Sequence, residues 1–301
     1  MPRYATRRVS ARYSKTKQTR KGKRSTGRKY RRPTRPARRM SKKAILNITS
    51  RKKRDNMISY NNLPAGTASS TYATGAATLV GGKTYILPWI PTARPMTTST
   101  GLGYGVNDPA GRTATTCYMR GLKERIQIQT NSGESWQWRR IILYMKGNAF
   151  TSKTSALFNW YQETSNGVVR NINDAFQEST VGSVVNNLLW QGKQSTDWSS
   201  YFTAKVDNNS LTVVYDKTRI LQSGNDSGIM RNFKLWHPIN KNIVYADDEQ
   251  GDLIGATPYS VVGRSGMGDM YIFDLFQAAT GALSSDTLTF DPEATLYWHE
   301  K

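Results

Sequence analysis

The sequence contains very little cysteine and histidine. Among its 301 residues, Cys117 is the single cysteine, and His237 and His299 are the two histidines. One cysteine excludes an intramolecular disulfide and any zinc site built from several cysteines. A nucleophilic cysteine needs a nearby base, so we interpret Cys117 as a packed thiol, and we interpret the histidines as half-buried strand residues. The sequence therefore predicts no bound metal and no cofactor.

Acidic and large apolar residues are absent from the first part of the chain. Asp55 is the first acidic residue, and no Ile, Leu, Phe or Trp precedes Ile45. Such a segment cannot bury enough apolar surface to offset the entropy that a chain loses on folding. We predict that residues 1–54 form a disordered basic arm and that residues 55–301 form a folded domain.

Long hydrophobic runs are also missing. The longest obvious apolar run is IILYM, 141–145, whereas a membrane-spanning helix needs about 20 apolar residues. The first residues lack the apolar stretch of a secretory signal. We therefore expect an intracellular protein without a membrane partner.

The formal net charge of +22 comes from the arm. Residues 1–54 hold 23 of the 43 Lys and Arg residues, so residues 55–301 hold 20 cations against 21 acidic residues. A block of like charge is typical of a disordered tail, and its natural partner is a polyanion, because neutralising phosphates releases condensed counterions. We predict that the arm binds nucleic-acid phosphates without sequence preference. The predicted nucleic-acid-binding residues are Arg20, Lys21, Lys23, Arg24, Arg28, Lys29, Arg31, Arg32, Arg35, Arg38, Arg39, Lys42, Lys43, Arg51, Lys52, Lys53 and Arg54.

Two of the basic clusters have the composition of nuclear localisation signals, which are short runs of Lys and Arg. They predict a nuclear import receptor as a partner. The better candidate is Arg51, Lys52, Lys53 and Arg54, and the second is Lys21, Lys23 and Arg24.

Strand-like patterns dominate the chain after the arm. RIQIQT, 125–130, alternates apolar and polar residues, as a half-buried strand does. SWQWRRIILYMK, 135–146, becomes continuously apolar, which favours a strand covered on both faces. The gap SGE, 132–134, has the length of a hairpin turn, so we predict that these two strands pair with each other.

Other segments complete a mainly β prediction. A second hairpin is expected over 201–221, AILNI at 44–48 is expected to be β-prone, and Pro88 favours an edge strand at 84–90. A helix is expected at 154–163, since Leu157, Trp160 and Tyr161 have helical spacing. Nine or so strands and few helices indicate an all-β sandwich or barrel, and we favour a single jelly roll, an eight-stranded antiparallel double sheet.

No enzyme signature is present. The Gly-rich segments lack the Lys-Ser/Thr pair that completes a phosphate-binding loop, and no Gly-x-Ser-x-Gly motif occurs. The densest acidic cluster, Asp247, Asp248, Glu249 and Asp252, lacks the spacing of a calcium-binding loop, and we interpret it as a solvated loop. We therefore predict a protein that is not an enzyme.

The junction between arm and domain resembles a known family. The segment RRPTRPARRMSKKAILNITSRKKRDNMISYNN, 31–62, is similar to the arm-to-domain junction of genomovirus capsid proteins. The resemblance implies a jelly roll that assembles into an icosahedral shell of ~60 copies, packages circular single-stranded DNA and enters the host nucleus. At 23 cations per arm, such a shell holds roughly 1,400 positive charges, within about twofold of the phosphates on a genome of about two kilobases. Geminivirus coat proteins are more distant, and the Cys/His finger that many of them carry has no counterpart here.

Two other classes of protein stay open. A cellular nucleic-acid-binding protein with a basic tail, of ribosomal or chromatin type, would bind as a monomer or dimer and form no closed particle. An enzyme acting on nucleic acid would need carboxylates or histidines grouped around a cleft, and the sequence does not indicate such a group.

Overall fold

A computed structural model describes residues 40–301, which form a mainly β domain. The predicted arm as far as Arg39, with the predicted binding residues from Arg20 to Arg39, lies outside the described residues. The helices are α1 (Lys42–Thr49), α2 (Ser179–Leu189) and a single 3-10 turn (Ala175–Gln177). The strands are β1 (Arg51–Met57), β2 (Ser59–Asn61), β3 (Ala73–Thr74), β4 (Ala77–Val80), β5 (Thr84–Trp89), β6 (Thr116–Thr130), β7 (Trp136–Met145), β8 (Glu163–Thr164), β9 (Gly167–Val168), β10 (Arg170–Ile172), β11 (Thr212–Leu221), β12 (Met230–Val244), β13 (Asp248–Gln250), β14 (Leu253–Gly255), β15 (Asp269–Ala278) and β16 (Thr287–Glu300).

The long strands form two antiparallel sheets, which we call sheet I and sheet II. In sheet I, β16 lies between β6 on one side and both β1 and β4 on the other, and β12 flanks β6. Strand β1 pairs with residues 294–300 of β16, and β4 pairs with residues 287–290. Sheet II has the order β11-β7-β15-β5. Each sheet is therefore four strands wide, and the short strands form small separate sheets.

The two sheets pack against each other across an apolar core. Side chains alternate along each strand, so every second residue points to the opposite sheet. From sheet II, Trp138 and Ile142 enter this core, and from sheet I, Phe290 and Leu296 meet them; all four are fully buried. Burying one side chain of this size contributes about 1.5–3 kcal/mol, so this core holds the sheets together.

The other face of sheet II is covered as well. Ile141, Leu143 and Phe273 point away from sheet I and pack against Val181 and Val185 of α2. Strand β7 is therefore buried on both faces, which confirms the interpretation of its continuous apolar run. The apolar residues of α2 recur every four positions, as they do on a helix that packs on one side.

Successive long strands change sheets, with one exception. The chain passes from β4 in sheet I to β5, β6 and β7, alternating between the sheets, and then β11 follows β7 within sheet II. Strands β12, β15 and β16 resume the alternation. The predicted hairpin between 125–130 and 135–146 is therefore wrong, because the SGE segment carries the chain from one sheet to the other. Residues 146–211 form the long connection between β7 and β11, which contains α2.

Two further predictions from local pattern are wrong. No helix forms at 154–163, since Phe158 and Trp160 are both buried at a two-residue spacing against sheet II. The first half of the hairpin expected over 201–221 is not a strand, and its second half, β11, pairs with β7. In both segments the long-range packing on sheet II determines the structure. The expectation of an edge strand containing Pro88 is confirmed, because β5 lies at the edge of sheet II.

Regular secondary structure is present before residue 55, where the folded domain is expected to begin. The compact unit begins at Lys43, AILNI is part of α1 rather than a β-prone segment, and β1 pairs with β16 along its whole length. Arg51–Arg54 therefore belong to sheet I, because each of them has a register partner on β16.

Candidate nucleic-acid interface

The four cations of RKKR point to two different sides of strand β1. Lys52 and Arg54 are exposed on the face of sheet I that points away from sheet II, while Lys53 points into the domain; Arg51, at the start of the strand, is also exposed. This division follows from the two-residue period of a strand. Three of the four predicted binding residues in this run are thus available to a partner.

Lys53 is buried within the domain, so its side chain is not exposed for the predicted contact with nucleic acid or an import receptor. Its side chain is 4% exposed, its Nζ donates a hydrogen bond to the carbonyl of Gly111 at 2.6 Å, and the same Nζ lies 3.2 Å from the Glu300 carboxylate. Burial alone would raise the pKa of Glu300, but hydrogen bonds from Thr113 and Trp298, together with Lys53, hold that pKa below its ordinary value. Lys53 therefore stabilises the fold.

The outer face of sheet I carries further cations beside Lys52 and Arg54. All of these side chains are exposed or half-exposed, and they come from β1, β6 and β12, with β16 lying between β1 and β6. We call this surface the basic face; its cations are Lys52, Arg54, Arg120, Lys123, Arg125 and Lys234.

The pairing register brings these cations together. Lys123 and Arg125 alternate on β6 with residues that point into the core. Arg125 is opposite Lys234 of β12 and opposite Glu293 of β16. His299, opposite Lys52, has a pKa lowered by burial and by the positive charges of Lys52 and Arg120. The basic face is thus positively charged, and Glu293 is an acidic residue on the same face.

A hollow of about 430 Å³ opens on the basic face. Arg54, Lys123 and Arg125 line it together with Tyr297 and Glu293. Three cations around one concave site attract an anion of limited size more strongly than scattered surface cations do, because their potentials add.

A cluster of buried charges lies on the inner side of sheet I. Glu124 contacts Arg140 at 2.7 Å, and Asp274 contacts Arg170 at 2.9 Å, with all four side chains fully buried. Burial alone would raise the pKa of Glu124, but Arg140, His237 and Arg170 lower it to about 2. His237 fills a buried position beside Glu124, with 3.5 Å between Nε2 and Oε2. This cluster joins the two sheets and, being fully covered, offers no surface for a partner.

The acidic run that begins at Asp247 does not form a single solvated loop. Arg112 donates two hydrogen bonds to the Asp247 carboxylate, at 2.6 and 3.0 Å, and both side chains are buried. The solvated-loop interpretation is therefore wrong for Asp247, while Asp248, Glu249 and Asp252 are exposed. Within residues 40–301, no three His, Cys, Asp or Glu side chains are grouped so that they could hold a metal ion. In the same part of the chain, the helices are too short or too polar to span a bilayer.

Four cations of the basic face are absent from the residues predicted to bind nucleic acid: Arg120, Lys123, Arg125 and Lys234. The alternation in RIQIQT already put Arg125 on the polar side of its strand. What the sequence could not supply is the pairing of β6 with β12 and of β16 with β1, which brings the four cations beside Lys52 and Arg54.

A comparison of the chain with models of known protein families found no match, and a comparison with curated proteins found none either.

Proposed function

We propose that this chain is a shell-forming protein with a jelly-roll domain. The strand order supports the fold: β4-β16-β6-β12 in one sheet and β5-β15-β7-β11 in the other. This is the arrangement produced when an eight-stranded ribbon folds over into two four-stranded sheets, with β7 and β11 as the one consecutive pair that stays in a sheet. Jelly rolls of this kind recur in viral capsids and lectins.

Within that class, we propose a viral capsid protein that packages circular single-stranded DNA. The observation that carries this proposal is the separation of charge along the chain. Residues 1–54 hold 23 cations and no acidic residue, whereas the remainder has 20 cations and 21 acidic residues. Near-neutral domains can pack side by side without mutual repulsion, while cationic arms neutralise an enclosed polyanion.

The basic face extends the same proposal to the folded domain. Lys52 and Arg54, at the end of the predicted arm, lie on the same face of sheet I as the cations of β6 and β12. A nucleic acid bound by the arm would therefore meet further cations on sheet I. The exposed cations of β1 also serve nuclear import in unassembled subunits, when no DNA covers them.

Packaging is tested by nuclease protection of DNA in cells that express the full chain. We expect particles that sediment as one species and retain single-stranded DNA after nuclease treatment of the lysate, with a constant mass ratio of DNA to protein. DNA that is fully digested while the protein stays as monomers or dimers would favour a cellular nucleic-acid-binding protein instead.

A further inference from the structure

Trp236 differs from the other tryptophans in its exposure. All eight tryptophans of the chain lie within the described residues, and six of them are almost fully buried. Trp198 is half-buried, whereas Trp236 is 50% exposed and lies on the basic face. Leaving so large an aromatic surface in water forgoes the stabilisation that its burial would give, so its position needs an explanation.

The indole of Trp236 is held in place from below and from one side. It lies over Gly121 of β6, where a Cβ atom would come within 2.5 Å of Trp236 Cζ2. The missing side chain therefore makes the room for the ring. Tyr297, opposite Gly121 in the register of β16, packs at a centroid distance of 5.9 Å with an interplanar angle of 59°. The ring thus has Gly121 and Tyr297 as neighbours, while half of the residue's surface is exposed to solvent.

Cationic side chains lie beside Trp236 and in the hollow next to it. Lys123 is the register partner of Trp236 across β6 and β12, so the two residues lie about 5 Å apart at the backbone. Lys123 also lines the hollow with Arg54 and Tyr297. The hollow, at about 430 Å³, has the volume of a small-ligand site, for which ~300–1,000 Å³ is usual.

We propose that Trp236 and this hollow form a subsite for one unpaired nucleotide of a single-stranded nucleic acid. The base stacks on the exposed part of Trp236, and the adjoining phosphate contacts Lys123 and Arg54. Glu293, on the far side of the hollow beside Arg125, keeps the phosphate at the Arg54 side by repulsion. The assignment of the polymer as DNA rests on the proposed function; the geometry itself selects unpaired bases, since a base inside a duplex has no free face for stacking.

The subsite is tested by binding of a short oligothymidylate to the full chain in about 0.5 M salt, where phosphate contacts of the arm are weakened. We expect Trp236→Ala to weaken binding about tenfold, because stacking on one aromatic residue has about that effect or more. Trp236→Phe should retain most of the affinity. Inorganic polyphosphate, which has no bases, should bind wild type and Trp236→Ala equally.

Charge variants separate the phosphate contact from the stacking contact. Lys123→Ala should weaken the binding of both oligothymidylate and polyphosphate. The control Lys217→Ala removes an exposed cation from β11 in sheet II. It should weaken the binding of either ligand only by the small amount that follows from losing one positive charge. Equal losses with Lys123→Ala and Lys217→Ala would overturn the phosphate contact, since only the overall charge would then matter.

Three outcomes of the Trp236 series are decisive. Unchanged oligothymidylate binding by a folded Trp236→Ala variant overturns the subsite even if the wild type forms shells. Weaker oligothymidylate binding by Trp236→Ala, with affinity retained by Trp236→Phe, supports the subsite. If the same protein forms no shells, only the proposed capsid function is rejected. If Trp236→Ala binds oligothymidylate as well as wild type but self-associates less, the basic face is a contact between protein subunits. That result would reject the proposal.

Discussion

Lys52 and Lys53 are chemically identical neighbours that point to opposite faces of β1. Lys53 forms a buried ion pair with Glu300, and Lys52 is exposed on the basic face. We expect Lys53→Ala to lower the free energy of unfolding by ~3–5 kcal/mol, because it leaves a buried carboxylate without its partner. Lys52→Ala should change it by about 0.5 kcal/mol or less.

Urea unfolding of the unassembled protein measures both values. Equal stabilities of the two variants would contradict the assignment of Lys53 to the fold. Wild-type protein under the same salt conditions is the reference, so that loss of assembly does not enter the comparison.

The buried cluster around Glu124 gives a pH dependence with a definite sign. The pKa of Glu124 is lowered from 4.5 to about 2 in the folded protein. Its contribution to stability is therefore fully present above about pH 4.5 and is lost as the pH falls toward 2. Other buried carboxyls titrate differently, for burial raises the pKa of Asp174 to about 6, so a variant is needed to isolate Glu124.

We expect Glu124→Gln to be less stable than wild type at pH 7 and to approach the wild-type stability as the pH falls from 4.5 toward 2. The comparison uses the free energy of unfolding in urea at each pH. A stability difference that does not change over this range would show that Glu124 is not held ionised by Arg140.

The role of a single residue could be predicted from the sequence only where the local residue pattern determines that role. The strand period separates Lys52 from Lys53 once β1 is known to be a strand, but four consecutive cations gave no apolar alternation to reveal it. The partner of Lys53 is Glu300, almost at the other end of the chain. Nothing in either local segment signals that contact, because it depends on β1 pairing with β16.

At the scale of elements, β1 connects the predicted arm to sheet I. It has three exposed cations, Arg51, Lys52 and Arg54, and its buried side chains anchor it to the domain. We expect the combined change Arg51→Ala, Lys52→Ala and Arg54→Ala to reduce both nuclear import and packaged DNA while leaving the fold intact, since Lys53 is kept.

A matched control removes three other exposed cations, with Lys193→Ala, Lys205→Ala and Lys217→Ala, none of which lies on the basic face. Import is measured from the nuclear fraction of a fluorescent fusion, and packaging from nuclease-resistant DNA per unit of protein. Normal import and packaging in the β1 variant, or equal losses in the control, would contradict the role assigned to β1.

Strands were predictable from the sequence wherever alternation or a long apolar run marked them, as in β6 and β7. Their pairing was not. The gap between β6 and β7 has the length of a hairpin turn, yet the two strands lie in different sheets, because β6 pairs with β12 and β16 and β7 pairs with β11 and β15. The segment at 154–163 likewise follows the packing of Phe158 and Trp160 rather than its helical spacing.

At the scale of the whole molecule, two properties belong together: a neutral double-sheet domain and a strongly cationic segment before it. Neither requires the other for folding, because the compact unit from Lys43 to Lys301 has its own cores. Their combination is explained if many domains form a wall around a polyanion. The charge division was fully predictable from the sequence, whereas the four added cations of the basic face needed the sheet.

Electron microscopy of the purified full chain mixed with circular single-stranded DNA tests whether the chain forms a closed shell around DNA. We expect uniform closed shells of roughly 20 nm, the scale of a small closed shell of ~60 such subunits. Their DNA should be resistant to nuclease. Monomers or dimers strung along the DNA, without closed particles across a range of salt and protein concentrations, would contradict it.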